Sequence, residues 1–451
     1  MAKNTLQAGF ARVNINPPLG IPISGYFVER IADGILDDLE AAALAVGDGK
    51  HTVILMALDN LGLYRTYLDA YRAEIAKATG VPAEAVFIHG THTHTGPSSD
   101  KADQSNPLVP EYLTFLGHRV VDLAVMAVRD MKPAKMGVGT GEARNVAFVR
   151  RYRMRDGSAK TNPGVNNPDI VAPIGETDER VHVLRFDREG AESIVLANFA
   201  NHPDVVGGTK ISADWPGMTR RMVERAIENV RCIFFNGAQG DVNHVNVHPK
   251  AGDFNDMFND FDGCSRGYGH ARHIARVVTG AVMSVSDKVE YMDVDDVRYA
   301  QKIVDIPSNM PDPKDLPLAH KYNNLHLAGR DEEIPYKAMM LTTVVAEAGR
   351  MVRLEHGPAA VPMLFSAVAI GNVALFGIPG EPFTGIGRGI KAAEGWRAVM
   401  VCCLTNGSEG YFPMKDSYDE GGYEARSSNF KAGVAEKIID EGLAILSDLK
   451  K

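Results

Sequence analysis

The sequence has few cysteines, and they do not form a disulfide framework or a zinc-binding pair. Four cysteines occur in 451 residues, and no two of them have C-x-x-C spacing. Small secreted domains that depend on disulfides are dense in cysteine, and structural zinc sites usually contain closely spaced cysteine pairs. We therefore expect Cys232, Cys264, Cys402 and Cys403 to be reduced, buried thiols in a cytoplasmic protein.

The sequence also lacks a long hydrophobic segment and a secretory leader. It contains no run of about 18 uninterrupted apolar residues, the length that a transmembrane helix needs. The first residues, MAKNTLQAGFARVNINPP, have no apolar core and no small-residue cleavage site. These absences predict that the protein does not insert into a membrane, and they favour the cytoplasm.

Runs of one charge and flexible linkers are missing as well. The net charge is −9, and no Lys/Arg-rich run occurs, which argues against nucleic acid or an anionic membrane as the partner. No Gly/Ser tract, Pro-rich stretch or charge block divides the chain, so we expect one compact domain over residues 1–451. A small molecule is the expected partner, and nothing in the sequence specifies an oligomeric state.

A repeated pattern is present in place of these features: apolar strand, polar loop, amphipathic helix, apolar strand, polar loop. Short continuous runs of Val, Ile and Phe are typical of strands that are covered on both faces. Asp214 and Thr384 are plausible helix-start residues, and the polar region 301–360 predicts surface helices and loops. The pattern predicts an α/β domain with two sheets. The three copies are strand 52–58, helix from about 67 to 77 and strand 85–90; strand 193–200, helix 218–230 and strand 231–236; and strand 371–378, helix to about 393 and strand 398–404.

Good metal ligands occur in the loops that follow these strands. Ligand sites of such folds gather at the carboxyl ends of strands, where His92 (with His94), His202, Glu381 and Tyr411 are found. Two imidazoles, a carboxylate and a phenolate suit Zn²⁺, with one position left for water. Taken singly, each residue also has an ordinary explanation: a polar loop histidine, a carboxylate at a helix start, or a buried tyrosine anchor. Their joint occurrence at equivalent positions of the repeat favours a metal site.

The motifs GTHTHTGP, FANHP, IPGEPF and the interval from GY to GYE resemble those of the neutral/alkaline (non-lysosomal) ceramidases, which are zinc amidases. The likeness extends from INPPLGIPISGY (15–26) to GGYEARSS (421–428). It implies the family's catalytic-domain fold, two packed mixed β-sheets surrounded by helices. It also implies a set of site residues: zinc ligands His92, His202, Glu381 and Tyr411, and catalytic residues His94, Arg150 (with Arg151 as the adjacent alternative) and Tyr423.

The chain departs from the family pattern in three respects. Asn243 stands where the family carries a serine once proposed as nucleophile, which leaves metal-activated water as the attacking species. We also expect the chain to lack the family's C-terminal immunoglobulin-like domain and the signal peptide of its secreted members, and we therefore expect ceramide itself to be a poor substrate. We expect a bacterial-type, zinc-dependent amidohydrolase acting on a small, soluble amide. The alternatives are a metal-dependent esterase, a sugar-acid lyase or isomerase, and a non-catalytic protein whose metal organises a ligand pocket.

Several other polar residues lie near these motifs. Asp241 and Asn243 either orient a ligand or histidine from behind or serve only the loop structure. His244 and His248 are four residues apart, and we favour substrate contacts over a second metal site for them.

Two glycine-rich stretches and one acidic stretch resemble binding loops less closely. GVGTG (137–141) and GIGRG (385–389) lack the full phosphate-loop spacing, so we favour tight turns or close helix packing. The acid-rich segment 252–263 lacks the register of a calcium loop, and we favour a solvated or lid loop.

Overall fold

The computed structural model describes residues 6–100, 102–253 and 267–450. Its strands are β1 (Gln7–Asn14), β2 (Gly34–Ile35), β3 (Glu40–Gly47), β4 (Thr52–Leu58), β5 (Val86–Gly90), β6 (Lys132–Glu142), β7 (Phe148–Val149), β8 (Arg151–Met154), β9 (Ala159–Thr161), β10 (Ile170–Pro173), β11 (Arg180–Arg188), β12 (Ser193–Phe199), β13 (Lys210–Ile211), β14 (Val230–Asn236), β15 (Val242–Asn243), β16 (Glu290–Met292), β17 (Val297–Pro307), β18 (Ala360–Ile370), β19 (Val373–Gly377), β20 (Glu381–Pro382), β21 (Ala398–Cys402) and β22 (Tyr411–Phe412). Its α-helices are α1 (Arg65–Thr79), α2 (Leu108–Arg129), α3 (Asp214–Ala226), α4 (Tyr268–Ser286), α5 (Leu316–Leu327), α6 (Ala338–Leu354), α7 (Thr384–Lys391), α8 (Asp416–Glu420), α9 (Tyr423–Ser427) and α10 (Val434–Lys450).

Within the described residues, the strands form two main sheets and several short ladders. The larger sheet has nine strands in the order β14-β12-β11-β6-β1-β3-β4-β5, with β16 paired to β6. The smaller sheet has the order β17-β18-β19-β21. Parallel and antiparallel pairs occur in both, and helices pack around them, which confirms the predicted α/β fold class with mixed sheets.

The three predicted repeat units are real crossovers between parallel strands. β4 pairs in parallel with β5, β12 with β14, and β19 with β21. The structure extends each unit by one element, because an antiparallel strand precedes each of them: β3, β11 and β18. The bounds of the apolar strands agree closely with the sequence pattern, since burial on both faces requires a continuous apolar run.

Some predicted boundaries are wrong. The second unit's helix covers Asp214–Ala226 instead of 218–230, because its first turn uses the DWPG segment that we assigned to the loop, and proline is compatible with a helix start. Helices do begin at Asp214 and Thr384, but the capping positions are Ala213 and Phe383, without side-chain caps. Region 301–360 contains helices α5 and α6, but its first residues belong to strand β17 and are not part of a surface loop.

The two outer strands of the large sheet come together even though the whole sheet separates them in strand order. The Asn236 N–H at the end of β14 donates to Nε2 of His89 in β5, at 2.9 Å, and the rings of Phe87 and Phe235 lie 6.1 Å apart. Apolar residues of both ends, and of the smaller sheet, share one core. The carboxyl ends of all three units therefore face a common region.

Two further sequence expectations concern the thiols and the membrane. Cys232, Cys402 and Cys403 are buried and free of disulfides, as predicted, while Cys264 lies outside the described residues. Among the described helices, none combines the length and apolarity that crossing a bilayer requires.

Candidate metal centre and active site

The histidine loop begins where β5 ends, and its three histidines have different surroundings. His89 lies within β5, where its Nδ1–H donates to the Cys403 carbonyl at 2.6 Å while Nε2 accepts from Asn236. Burial lowers the pKa of His89 to about 3, so the ring is neutral. His89, in the first repeat unit, is therefore a structural residue that links this unit to the second through Asn236 and to the third through Cys403.

His92 and His94 extend from the loop toward a common point. Their Nε2 atoms lie 3.3 Å apart, and both side chains are buried. Two histidines that alternate with threonine would lie on one side of an extended segment, but His92 has a φ of 77°, so the chain turns there and the rings meet for another reason. Thr93 anchors the turn through a hydrogen bond from its hydroxyl to the Ser212 carbonyl.

His202 and Glu381 come to the same point from the second and third units. Nε2 of His92 lies 3.1 Å from Nε2 of His202 and 3.1 Å from Oε2 of Glu381, and the His202–Glu381 distance is 3.7 Å. Ligands at about 2.0–2.1 Å from a tetrahedral zinc ion lie about 3.3 Å from one another. The spacing of these donor atoms fits such an ion, and the His92, His94 and His202 group can hold a metal ion.

The electrostatics of the cluster are compatible with a cation. Burial lowers the pKa of His202 to about 3, which leaves a neutral imidazole, the form that binds metal. Burial by itself raises the pKa of Glu381, but His92, His202 and Arg150 outweigh it and hold the carboxyl ionised. One carboxylate and neutral imidazoles form a donor set typical of zinc.

Tyr411 lies directly beside Glu381. The two residues are paired across the short parallel ladder of β20 and β22, and the Glu381 N–H donates to the Gly410 carbonyl at 2.8 Å. Burial and the neighbouring Glu381 raise the pKa of Tyr411. With its pKa raised, the Tyr411 phenol would lose its proton and bind as a phenolate only beside a cation.

Arg150 and Tyr423 border Tyr411 on the side of helix α9. The Arg150 guanidinium lies 5.2 Å from the centre of the Tyr411 ring, and the Tyr423 ring centre is 5.5 Å from that of Tyr411. Arg150 Nε forms a buried ion pair with Oε1 of Glu424 at 2.6 Å. Arg151 points elsewhere and bonds to Ser417 and Glu420, so Arg150 is the arginine of this cluster.

The sequence interpretation missed several residues that support the cluster. Glu424 follows Tyr423 in the GGYEARSS motif, and an acidic residue next to a site tyrosine is a signal that could have been used; the structure buries its side chain. Gln239 follows β14, and its Nε2 lies 3.5 Å from Oε2 of Glu381. Tyr26, in the ISGY motif, contacts the His94 ring, but no local pattern indicated this.

Other candidates lie outside the cluster. The Asp241 carboxylate accepts from the N–H and hydroxyl of Thr384, so its role is to hold the start of α7 and not to orient a histidine. The Asn243 amide donates to Asn162. His244 bonds to Asp204, and His248 is exposed.

The two glycine-rich stretches are packing features, as we favoured. GVGTG lies within β6, where Gly141 abuts the Ala281 backbone of α4. GIGRG lies within α7, where Gly389 faces Ile439 of α10. The acidic segment 252–263 lies almost wholly outside the described residues.

Comparison with known proteins identifies the fold and not a close relative. No family model matches the chain, and no curated protein matches it. The neutral ceramidase from Pseudomonas aeruginosa superposes with a TM-score of 0.75 at 17% sequence identity, over 99% of this chain and 75% of that one. A structure described as ceramidase complexed with C2 gives 0.72 at 18% identity, over 99% and 76%. The chain has a neutral ceramidase-like fold, as the sequence motifs predicted.

Proposed function

We propose that this protein is a zinc-dependent amidohydrolase that cleaves the carbon–nitrogen bond of a small amide. His92, His202, Glu381 and Tyr411 would hold the ion, and His94, Arg150 and Tyr423 would act on the substrate. The fold it shares with neutral ceramidases and the donor spacing of the buried cluster both support this assignment.

One observation distinguishes the two histidines that we propose as ligands from the one that we propose as the proton carrier. Nδ1 of His92 contacts the Leu61 carbonyl at 2.6 Å, and Nδ1 of His202 contacts the Gln239 carbonyl at 3.4 Å. Histidines that bind a metal through one nitrogen almost always donate the other N–H to such a partner. Nδ1 of His94 is buried and has no hydrogen-bond partner among the described residues. His94 therefore differs from the two proposed histidine ligands, and we assign the proton transfer to it.

When bound, zinc would supply a Lewis acid that polarises the substrate carbonyl and acidifies water. His94 holds its Nε2 within 3.3 Å of that of His92, so it reaches the same small volume. A neutral imidazole there can accept a proton from the attacking water and return it to the leaving nitrogen. The proton return is what allows an amine, otherwise a poor leaving group, to depart.

Arg150 and Tyr423 supply hydrogen-bond donors beside Tyr411. The ion pair with Glu424 and a hydrogen bond to the Gly240 carbonyl at 2.8 Å fix the guanidinium. Burial raises the pKa of Tyr423, so its hydroxyl keeps its proton and can donate it in a hydrogen bond. Prearranged donors of this kind stabilise the negative charge that develops on an amide oxygen during attack.

A substrate panel tests the proposal directly. The purified chain would be assayed with water-soluble N-acyl amines, the matching esters, sugar acids and a long-chain N-acylsphingosine, with zinc measured in the same samples. We expect about one zinc per chain and release of free amine from the soluble amides. Turnover of sugar acids alone, or zinc binding without release of any amine or alcohol, would refute the assignment.

A further inference from the structure

A short segment near the N-terminus lies along the edge of the proposed active site. Residues 24–30, which we call the strap, form a loop closed by the Ile23 N–H donating to the Arg30 carbonyl at 2.8 Å. The Ser24 N–H donates to the Gly96 carbonyl, which ties the strap to the histidine loop. The strap is remote in sequence from the third repeat unit, and none of its residues has a ligand or catalytic role in the proposed function.

The strap approaches His94 most closely at Gly25. A Cβ atom at this position would lie 2.7 Å from Nδ1 of His94, and Gly25 has a φ of +110°. Glycine is the residue that meets both conditions without strain. The space beside Nδ1 of His94 is therefore filled by backbone, with no hydrogen-bonding group placed against it.

Tyr26 packs its ring against His94. The two ring centres lie 5.4 Å apart with planes inclined at 49°. Contacts of this kind between aromatic rings hold a preferred geometry in addition to burying area. This tilted ring contact supplies an orientation for His94 that no hydrogen bond to its Nδ1 supplies among the described residues.

Arg30 completes the arrangement from the end of the strap. Its guanidinium lies over the Tyr26 ring at 4.1 Å from the ring centre, and Nη2 donates to the His94 carbonyl at 2.7 Å. Nη1 donates to the Gly208 carbonyl at 3.0 Å. One planar side chain thus contacts both the ring that packs on His94 and the backbone that carries it.

We infer that Tyr26, held by Arg30, is a positioning residue that orients the His94 imidazole by packing. The effect on catalysis rests on the proposed function, whereas the packing of Tyr26 on His94 can be tested separately. The imidazole that transfers the proton must point at the reacting atoms, and a displacement of the ring by about 1 Å costs about a hundredfold in rate. The contacts given above join Tyr26 to the His94 ring and Arg30 to the His94 carbonyl, so we expect replacement of either residue to act on His94 and to leave zinc bound.

The first experiment compares Tyr26→Leu with Tyr26→Phe in the full-length, zinc-loaded protein. We expect Tyr26→Leu to lower kcat about ten- to a hundredfold with KM and zinc content unchanged, because the ring that directs His94 is lost. Tyr26→Phe keeps the ring and should restore most of the rate. Equal losses in the two variants, or zinc lost in Tyr26→Leu, would overturn the inference.

A second measurement separates this inference from the proposed function. The ring resonances of His94 would be recorded by NMR on ¹⁵N-histidine-labelled, zinc-free protein and assigned with His94→Gln. Because loss of the Tyr26 ring current moves these resonances by itself, the orientation is read from the NOEs between the His94 ring and the His202 ring, whose centres lie 5.1 Å apart. Tyr26→Leu should weaken these NOEs and Tyr26→Phe should keep them, even if no amide is ever hydrolysed. Unchanged NOEs in Tyr26→Leu would refute the positioning role, whatever the activity.

A double-mutant cycle tests the part played by Arg30. Arg30→Lys keeps the charge but loses the planar group that stacks and donates in two directions. If Arg30 acts through Tyr26, the double variant Tyr26→Leu/Arg30→Lys should be no slower than the worse single variant. Additive losses would show that Arg30 acts on His94 by another route and would contradict the inference for Arg30.

Discussion

The Nε2 atoms of His92 and His94 lie 3.3 Å apart, yet the two rings are held differently at their other nitrogen. His92 has the Leu61 carbonyl against Nδ1, whereas Nδ1 of His94 has no hydrogen-bond partner among the described residues. Two residues that look equivalent in the sequence thus have different surroundings. This difference predicts different effects of replacing them.

His92→Ala should lose zinc, because it removes one ligand and leaves an incomplete coordination shell. His94→Ala should keep nearly all of its zinc and lose about two to four orders of magnitude in turnover, the range typical of a general acid–base. Zinc content by elemental analysis and the rate of amine release on the same preparations check both. Equal loss of zinc would make His94 a ligand, and full activity in both would make the loop merely polar.

Arg150→Lys should lower kcat by about two orders of magnitude, in line with the loss of one donor to a developing oxyanion. Lysine keeps a cation near Glu424 but cannot reproduce the forked geometry of the guanidinium. Arg151→Lys is the matched control, since its side chain bonds to Ser417 and Glu420 outside the cluster. Steady-state kinetics that rank the two variants in the opposite order would contradict the assignment of Arg150.

Removal of zinc should lower the melting temperature, because the proposed ligands come from loops of all three repeat units. A ligand that binds the native state alone stabilises it by about 4 kcal/mol when its free concentration is a thousandfold above Kd. Calorimetry on chelator-treated and zinc-restored protein measures the effect. Zinc should restore the original temperature and magnesium should not, given the nitrogen donors. Coincident melting curves with and without chelator would count against ligands distributed in this way.

The stability of the fold should decline with acid in part because of His89. Burial lowers the pKa of His89 to about 3 from an ordinary value near 6.5, so the unfolded chain binds a proton that the native state does not. The stabilisation is complete above pH 6.5 and is lost as the pH falls toward 3. Between pH 6.5 and 4.5 the loss amounts to about 2 kcal/mol.

Urea unfolding at a series of pH values measures this slope. His89→Gln should be less stable at neutral pH, because it disturbs the bonds to Cys403 and Asn236, but its stability should fall less steeply with acid. Part of the slope should remain, since burial also lowers the pKa of His182 to about 3. An unchanged slope would mean that His89 is not held neutral in the native state.

The order of elements was largely determined by local sequence. Strands β4, β12 and β19 are buried on both faces, and such strands require uninterrupted apolar runs that can be recognised without any partner. The rule that ligands gather at carboxyl ends of strands then directed attention to His92, His202, Glu381 and Tyr411. The structure brings His92, His202 and Glu381 within 3.7 Å of one another and pairs Tyr411 with Glu381.

Tertiary structure alone decided which atoms face the site. Adjacent Arg150 and Arg151 have the same local chemistry, and only the position of Glu424 and Glu420, more than 250 residues later, separates them. The strap is a similar case, because Tyr26 and His94 meet through packing that leaves no periodic trace in the sequence. Local patterns record whether a residue is buried, but the partner against which it is buried depends on long-range strand pairing and register, which short-range periodicity does not encode.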